Sequence, residues 1–285
     1  MGRETVHVSK RDANRLTLTK HEGAGNDFLV LVDLDRAIDF SPELARALCD
    51  RHRGVGADGF IRVAAGEDGA DLTMELRNAD GSAAAVSGNG LRCLAQAAVE
   101  AGLVSPPEFA VRTAAGVRGV TYWSGSHRGR AIATVEMGPA RLGADQPQPS
   151  ADRRVREVNV GNTHLVLLGP TDPASLDVAE IGPRIESRRA GGINVEFVSI
   201  GSSPNELVLR VWERGVGETR ACGTGSCAAA AAARSWGLVG DRVVVRNPGG
   251  TLEVCLGQNA DDSVTLGGPV RRVAEVAVDP GTVGI

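Results

Sequence analysis

Arg220-Ala221-Cys222-Gly223-Thr224-Gly225-Ser226-Cys227 runs directly into six alanines, Ala228 to Ala233, and then into Arg234-Ser235-Trp236-Gly237. Alanine is the strongest helix former and the run has no polar face, so it predicts a helix buried on all sides and stopped at Gly237. Cys222 then stands at the mouth of that helix. There the unpaired N–H groups and the positive end of the macrodipole favour anions and draw a thiol's pKa down from about 8.5 toward neutrality. A thiolate held there can serve as nucleophile or base. Packing offers a plainer role, because a free cysteine is most often a small buried apolar residue.

The bulk properties narrow the function classes. The chain has 285 residues, long enough for one large domain or two ordinary ones, and a net charge of −4. Without a basic run or interleaved aromatics, neither nucleic acid nor an anionic membrane is expected as partner. No stretch reaches the roughly 18 apolar residues of a membrane span, and residues 1–15 lack the apolar core of a signal peptide, so a cytoplasmic location is expected. Cys49, Cys93, Cys222, Cys227 and Cys255 are an odd number at no metal-binding spacing, and the histidines lie far apart in sequence; no metal site is expected.

Along the chain, residues 1–15 are charged and unpatterned, which predicts a mobile tail. Strand-like patterning begins at Leu16, and the apolar run Phe28 to Val32 follows the turn Gly23-Ala24-Gly25-Asn26-Asp27. Ser41-Pro42-Glu43 predicts a helix start, with an end near Arg53-Gly54. Gly54-Val55-Gly56-Ala57-Asp58-Gly59 matches the dinucleotide fingerprint literally, but a helix precedes it and a strand follows, the reverse of what the fingerprint requires. Leu72 to Arg77 alternates as a half-buried strand into the turn Asn78-Ala79-Asp80-Gly81-Ser82, and a helix follows over 88–101. Short strands are predicted over 109–113, 131–137, 155–160, 164–168, 194–200, 207–213, 243–246, 251–256 and 270–278, with a surface loop over 143–152. Many short strands and few helices point to an α+β fold.

An internal repeat organises these elements. Placing Cys222 on Ser87 brings Gly223 onto Gly88, Thr224 onto Asn89 and Gly225 onto Gly90, and without a gap Gly237-Leu238-Val239 onto Gly102-Leu103-Val104. Upstream, Gly161-Asn162-Thr163-His164 falls on Gly25-Asn26-Asp27-Phe28 with one residue of slippage. The same frame sets Glu213-Arg214 against Asn78-Ala79 and Asn194 against Gly59. Each copy carries a Gly-Asn turn, a strand and a buried helix whose first turn bears a small polar atom. Two such units facing one another bring two helix N-termini to one cleft, whose natural ligand is an anion such as a carboxylate. That geometry suits proton transfer at the carbon next to a carboxylate, with a base on one face and an acid on the other. The usual cofactor for such chemistry sits on a lysine. The only lysines are Lys10 and Lys20, so a cofactor-free route fits better.

With these residues in place, the chain resembles the diaminopimelate epimerases, cofactor-independent two-base enzymes. The resemblance covers roughly residues 16–280 and rests on Gly23 to Phe28, Asn78 to Ser82, Ser87-Gly88-Asn89-Gly90-Leu91-Arg92-Cys93, Ile193 to Val198 and Val211 to Ala228. It implies two pseudo-symmetric lobes, each a curved, barrel-like, mostly antiparallel sheet around a central buried helix, with the active site in the cleft between them. The lobes are placed at 16–130, joined by a C-terminal strand from 269–285, and at 131–268. It also implies interconversion of LL- and meso-diaminopimelate, a step toward lysine and peptidoglycan, and a homodimer. Carried over by position, the acid/base pair falls on Ser87 and Cys222. Gly88, Asn89, Gly223 and Thr224 offer backbone N–H groups to the reacting carboxylate, while Asn26, Asn78, Asn162, Asn194, Glu213 and Arg214 line the substrate. His164 and Glu213 lie near the thiols and tune them. On chemistry alone Arg214 suits a carboxylate and Glu213 an ammonium. A solvated pair at a strand end is the plainer role of those two, as a satisfied structural histidine is for His164.

Four positions depart from the family's pattern: Thr163 replaces a proline, Gly59 a side-chain amide, Glu22 a histidine, and Ser87 a catalytic cysteine. A serine hydroxyl is a far weaker acid than a thiol, yet serine is the better helix cap. Three readings follow. The chain is a diaminopimelate epimerase impaired by Ser87. Alternatively, Cys222 alone runs one-base isomerisation or elimination on another amino or hydroxy acid. The third is a non-catalytic homologue that binds an amino acid.

Overall fold

The two halves of the chain fold on one plan, strand by strand. The computed structural model describes residues 15–125, 129–146, 152–259, 261–279 and 281. In the first half, β1 (Leu16–Gly23) turns tightly into β2 (Asn26–Val32), and a crossover through α1 (Pro42–Cys49) leads to β3 (Gly59–Ala65) and β4 (Leu72–Asn78). A second crossover, α2 (Gly88–Glu100), reaches β5 (Glu108–Thr113), followed by β6 (Gly116–Ser124) and β7 (Arg130–Gly138). The second half runs β8 (Arg141–Gln146), β9 (Arg154–Asn159), β10 (Thr163–Leu168), α3 (Val178–Glu186), β11 (Asn194–Ile200) and β12 (Glu206–Glu213). It continues through β13 (Gly217–Thr219), α4 (Gly223–Ser235), β14 (Arg242–Asn247), β15 (Gly250–Cys255) and β16 (Val264–Val278).

The repeat extends to register. Phe28 lies opposite Gly59 in one parallel ladder and His164 opposite Asn194 in its counterpart. Leu72 meets Val111 as Leu207 meets Val245. The remaining ladders are antiparallel, so each lobe is mostly antiparallel with its two parallel pairs bridged by helical crossovers. β16 pairs with both β7 and β1, which closes β1 to β7 and β16 into an eight-stranded barrel around α2. β16 also pairs with β15 and so belongs to both sheets. The second sheet wraps α4 but, among the described residues, no ladder joins β8 to β16.

Both helices are buried because each sits inside a sheet. Every residue from Gly223 to Ala233 is buried, and alanine's small side chain lets the surrounding strands close on α4. One core continues through both lobes, by way of Met137, Leu266 and the α4 alanines. Smaller clusters sit outside the barrels under α1, with Leu44 and Leu48, and under α3, with Val178 and Ile193. Full burial of each such leucine contributes about 1.5–3 kcal/mol.

Several elements differ from the sequence reading. β7 pairs with β6 and β16, so residues 131–138 belong to the first barrel and not, as the boundary at 130 had it, to the second lobe. α1 begins at the Ser41 cap but stops at Cys49, because the Asp50 carboxylate accepts from the N–H groups of His52 and Arg53 and turns the chain. The surface loop expected over 143–152 begins as strand: Asp145 and Gln146 extend β8 against Arg156 and Val155 of β9. α3 was not foreseen, since Pro183 sits inside a nine-residue helix; Asp177 caps it and its small Gly182 lies flush against Trp212. The expected tail lies outside the described residues except for Arg15.

Candidate active site

Ser87 and Cys222 hold equivalent positions at the starts of two 13-residue helices. Both have extended N-cap backbones, φ −140° and ψ 122° for Ser87, φ −119° and ψ 117° for Cys222. The N–H of Gly90 donates to Ser87 Oγ at 3.0 Å, and that of Gly225 to Cys222 Sγ at 3.3 Å. A Cβ added to Gly88 would lie 2.5 Å from Leu266 Cδ2, and one added to Gly223 2.7 Å from the same atom. The two helix starts therefore abut over one leucine on β16, and only glycine lets them approach so closely. Helix starts placed so close offer unpaired N–H groups of a kind that favours an anion.

Asn89 ties the lobes together at this point. Its amide donates to Asn26 Oδ1 at 3.1 Å in the first lobe and to the Ala221 carbonyl at 3.3 Å in the second. Asn26 is held from behind, since its own amide donates to Asp58 at 2.8 Å. Arg51 bridges Asp58 and Asp27. Burial opposes ionisation of Asp27, but donors from Arg51 and Lys20 prevail and hold its pKa at about 2. Asn78 donates to Ser82 Oγ at 3.0 Å.

In the second lobe the Asn194 amide donates to the Thr163 carbonyl and its oxygen accepts from the Arg214 N–H, both at 3.0 Å. The Arg214 guanidinium stays exposed near the Gly191 carbonyl. Both ring nitrogens of the fully buried His164 meet oxygens, Nδ1 with Glu196 Oε1 at 2.6 Å and Nε2 with Asn162 Oδ1 at 2.8 Å. Glu213, partly buried, accepts from the Thr219 hydroxyl. Burial pushes the Glu213 carboxyl above the ordinary carboxylate range, while Thr219, His164 and Cys222 pull it back.

The thiol itself corrects the sequence reading. Burial pushes Cys222 well above an ordinary cysteine, and the charges of Glu213 and Glu196 push it further. Donors at Thr224 and Gly225 oppose this without prevailing. These influences favour the protonated thiol at Cys222 over the near-neutral thiolate that the helix start alone suggests. The Glu213 carboxyl, itself raised by burial, acts on this thiol and has the chemistry to take up its proton.

The structure thus gathers Ser87, Gly88, Asn89 and Asn26 from one lobe and Cys222, Gly223, Thr224, Glu213, His164, Asn162 and Asn194 from the other. Asn78 and Arg214 stand at strand ends on their margins. Of the departures, Glu22 accepts from the Gly25 N–H at 3.0 Å and so fixes the turn before Asn26. Gly59 is required by its neighbour: a Cβ there would stand 2.9 Å from the Phe28 ring. Sequence reasoning gave no role to Glu196. Its carboxylate is fully buried with Oε2 unpartnered, and its Oε1 lies 2.8 Å from where a Gly225 Cβ would project. A signal was present, because the repeat sets Glu196 against Ile61 and His164 against Phe28, a polar pair against an apolar one.

Solved structures with this architecture include a hydroxyproline epimerase from Agrobacterium vitis, at 19% identity and a TM-score of 0.72 over 96% of both chains. A phenazine biosynthesis protein of the PhzF family from Bacillus anthracis matches at 14% identity and a TM-score of 0.73, over 93% of this chain and 99% of that one. At these identities they speak to the fold. Sequence relatives speak to the family. The diaminopimelate epimerase of Thioalkalivibrio sulfidiphilus is 35% identical over 93% of this chain and 99% of its own length. That of Synechococcus sp. is 40% identical over 84% and 90%, and that of Mycolicibacterium smegmatis 39% identical over 93% and 97%. The diaminopimelate epimerase family model matches residues 18–143 and 157–273. The chain is an epimerase-type isomerase and belongs to the diaminopimelate epimerase family.

Proposed function

We propose that this protein binds diaminopimelate between its lobes and interconverts the LL and meso isomers, with Cys222 as the competent acid/base group and Ser87 as a weak partner. The observation that carries this reading is the pair of equivalent helix caps, abutting over Leu266 and crossed by Asn89. The substrate's α-carboxylate takes the N–H groups of the two helix starts, and its α-carbon lies between the Ser87 and Cys222 side chains. Glu213 accepts the thiol proton, the thiolate removes the α-proton, and a group on the opposite face returns one. A thiol does this readily near neutral pH. The Ser87 hydroxyl gives up a proton far less easily, so inversion is slow while binding persists. Asn26, Asn78, Asn162, Asn194 and Arg214 hold the rest of the molecule.

The reading carries with it a place in lysine and peptidoglycan precursor synthesis, a cytoplasmic location and a homodimer. For the dimer, Trp123, Ile132 and Pro269 form an exposed apolar row across neighbouring strands. No helix among the described residues is long and apolar enough to cross a membrane. The deciding experiment is incubation with LL- and with meso-diaminopimelate in D₂O, following α-deuteration and isomer ratio by NMR. Exchange at the isomer facing Cys222 that outpaces inversion supports the proposal; absence of both binding and exchange overturns it. Turnover of other amino or hydroxy acids in the same assay, without action on diaminopimelate, would favour the one-base alternative.

A further inference from the structure

Glu196 on β11 is a fully buried carboxylate with one oxygen satisfied and the other not. Its Oε1 meets His164 Nδ1 at 2.6 Å, while Oε2 has no hydrogen-bond partner among the described residues. A half-satisfied carboxylate in a core is costly, and in a native protein it calls for a reason beyond packing. The other lobe shows that packing does not require it. In the repeat Glu196 and His164 correspond to Ile61 and Phe28, which are buried and apolar. The tertiary structure keeps the equivalence: a Cβ on Gly90 would stand 3.3 Å from Ile61 Cδ1, and one on Gly225 2.8 Å from Glu196 Oε1. The same place is therefore apolar under the Ser87 helix start and polar under the Cys222 one.

What the polar pair reaches supplies the reason. His164 Nε2 meets Asn162 Oδ1 at 2.8 Å, so the ring sets where the half-buried Asn162 side chain points. A carboxylate only accepts, so Nδ1 carries the proton of its bond, and the ring cannot turn over without giving up both contacts. Glu196 Oε1 also lies against Gly225, whose N–H donates to Cys222 Sγ at 3.3 Å. One carboxylate thus reaches the Gly-Asn turn through His164 and the first turn of α4 directly. The first lobe does without such a relay, because there Asn26, the counterpart of Asn162, donates straight to Asp58 at 2.8 Å.

We propose that Glu196 is a positioning residue of the second lobe, a buried carboxylate that fixes the His164 ring and, through it, the Asn162 side chain that meets the substrate beside Cys222. It touches neither the substrate nor the reacting atoms. The inference rests on the proposed function, which places Asn162 against diaminopimelate. Place and charge are separable at this position, since glutamine keeps the accepting oxygen and drops the charge. Isoleucine, the residue of the equivalent place in the first lobe, keeps neither.

The test compares Glu196→Gln, Glu196→Ile and the double variant Glu196→Ile with His164→Leu in the full chain, by thermal melting and by calorimetric titration of meso-diaminopimelate. Glu196→Ile strands the His164 Nδ1–H in the core, so it should melt lower than the parent and bind about tenfold more weakly. Removing the second polar partner as well should recover the melting temperature without recovering affinity, the split that a purely structural role does not give. Glu196→Gln should bind within about threefold of the parent, because the accepting oxygen stays in place. A folded Glu196→Ile that binds like the parent overturns the proposal, as does a double variant that regains affinity together with stability, or a Glu196→Gln as weak as Glu196→Ile. If Glu196→Ile does not fold, heteronuclear NMR of the His164 ring nitrogens in the parent decides: a proton on Nδ1 supports the proposal and a bare Nδ1 overturns it. That measurement needs no substrate, so a parent that fails to bind diaminopimelate refutes the proposed function while the ring still tests Glu196.

Discussion

Ser87→Cys is the perturbation that isolates the chemistry of the second face. The structure fixes what the change costs. Cys222 already shows a thiol in the same cap role, with backbone dihedrals within about 20° of those at Ser87, so the new side chain demands no backbone movement. What is lost is the preference of serine over cysteine at an N-cap, about 0.5–1 kcal/mol, or a fall in Tm of roughly 1–2 °C for a chain of this size. Against that stands a second positioned acid/base group, typically a factor of 10² to 10⁴ in rate. At the lower bound this is about 2.7 kcal/mol of transition-state stabilisation. The assay is inversion of LL- and of meso-diaminopimelate in D₂O under reducing conditions, since two thiols flanking one carbon invite a disulfide. The variant should invert both isomers at least about 100-fold faster than the parent, with binding affinity little changed. If the parent already inverts as fast as a folded, fully reduced variant, the assignment of Ser87 as the weak half is wrong.

Three further outcomes are expected. Glu196→Gln removes a negative charge that opposes ionisation of Cys222, so the pH midpoint for alkylation of that thiol by iodoacetamide should fall; a rise would show that Glu196 acts through His164 instead. Gly249→Ala would set a Cβ 1.9 Å from the Ala24 carbonyl, a backbone atom that cannot step aside. It should lower Tm by several degrees and weaken diaminopimelate binding by displacing the turn before Asn26, whereas unchanged melting would mean that the hairpin tip is free to move. Asp27 has a depressed folded-state pKa, so its stabilisation is fully present above its unfolded value near 3.9 and disappears as pH falls toward about 2. Urea unfolding should therefore show up to about 2 kcal/mol less pH-dependent loss between pH 5 and 2 in Asp27→Asn than in the parent, and equal slopes would refute it.

By itself the sequence determined the parts that depend on local pattern and on self-comparison. The alanine run predicts a buried helix, Ser41 a helix cap, and the repeat pairs Cys222 with Ser87 and predicts two facing units. These were legible because helix periodicity, capping and internal repetition are written in neighbouring residues. Tertiary structure decided what depends on residues brought together from afar. β7 joined the first barrel because its ladder partners are β6 and β16, and α3 formed despite Pro183 because Trp212 and β11 offer it an apolar bed. The charge balance at Cys222 is likewise a product of the tertiary structure. A helix start lowers a thiol's pKa in isolation, but burial and two carboxylates from β11 and β12 reverse the sign in the folded protein. No local pattern encodes that reversal, since the desolvating core and the opposing charges come from strands separate from the helix that carries the thiol.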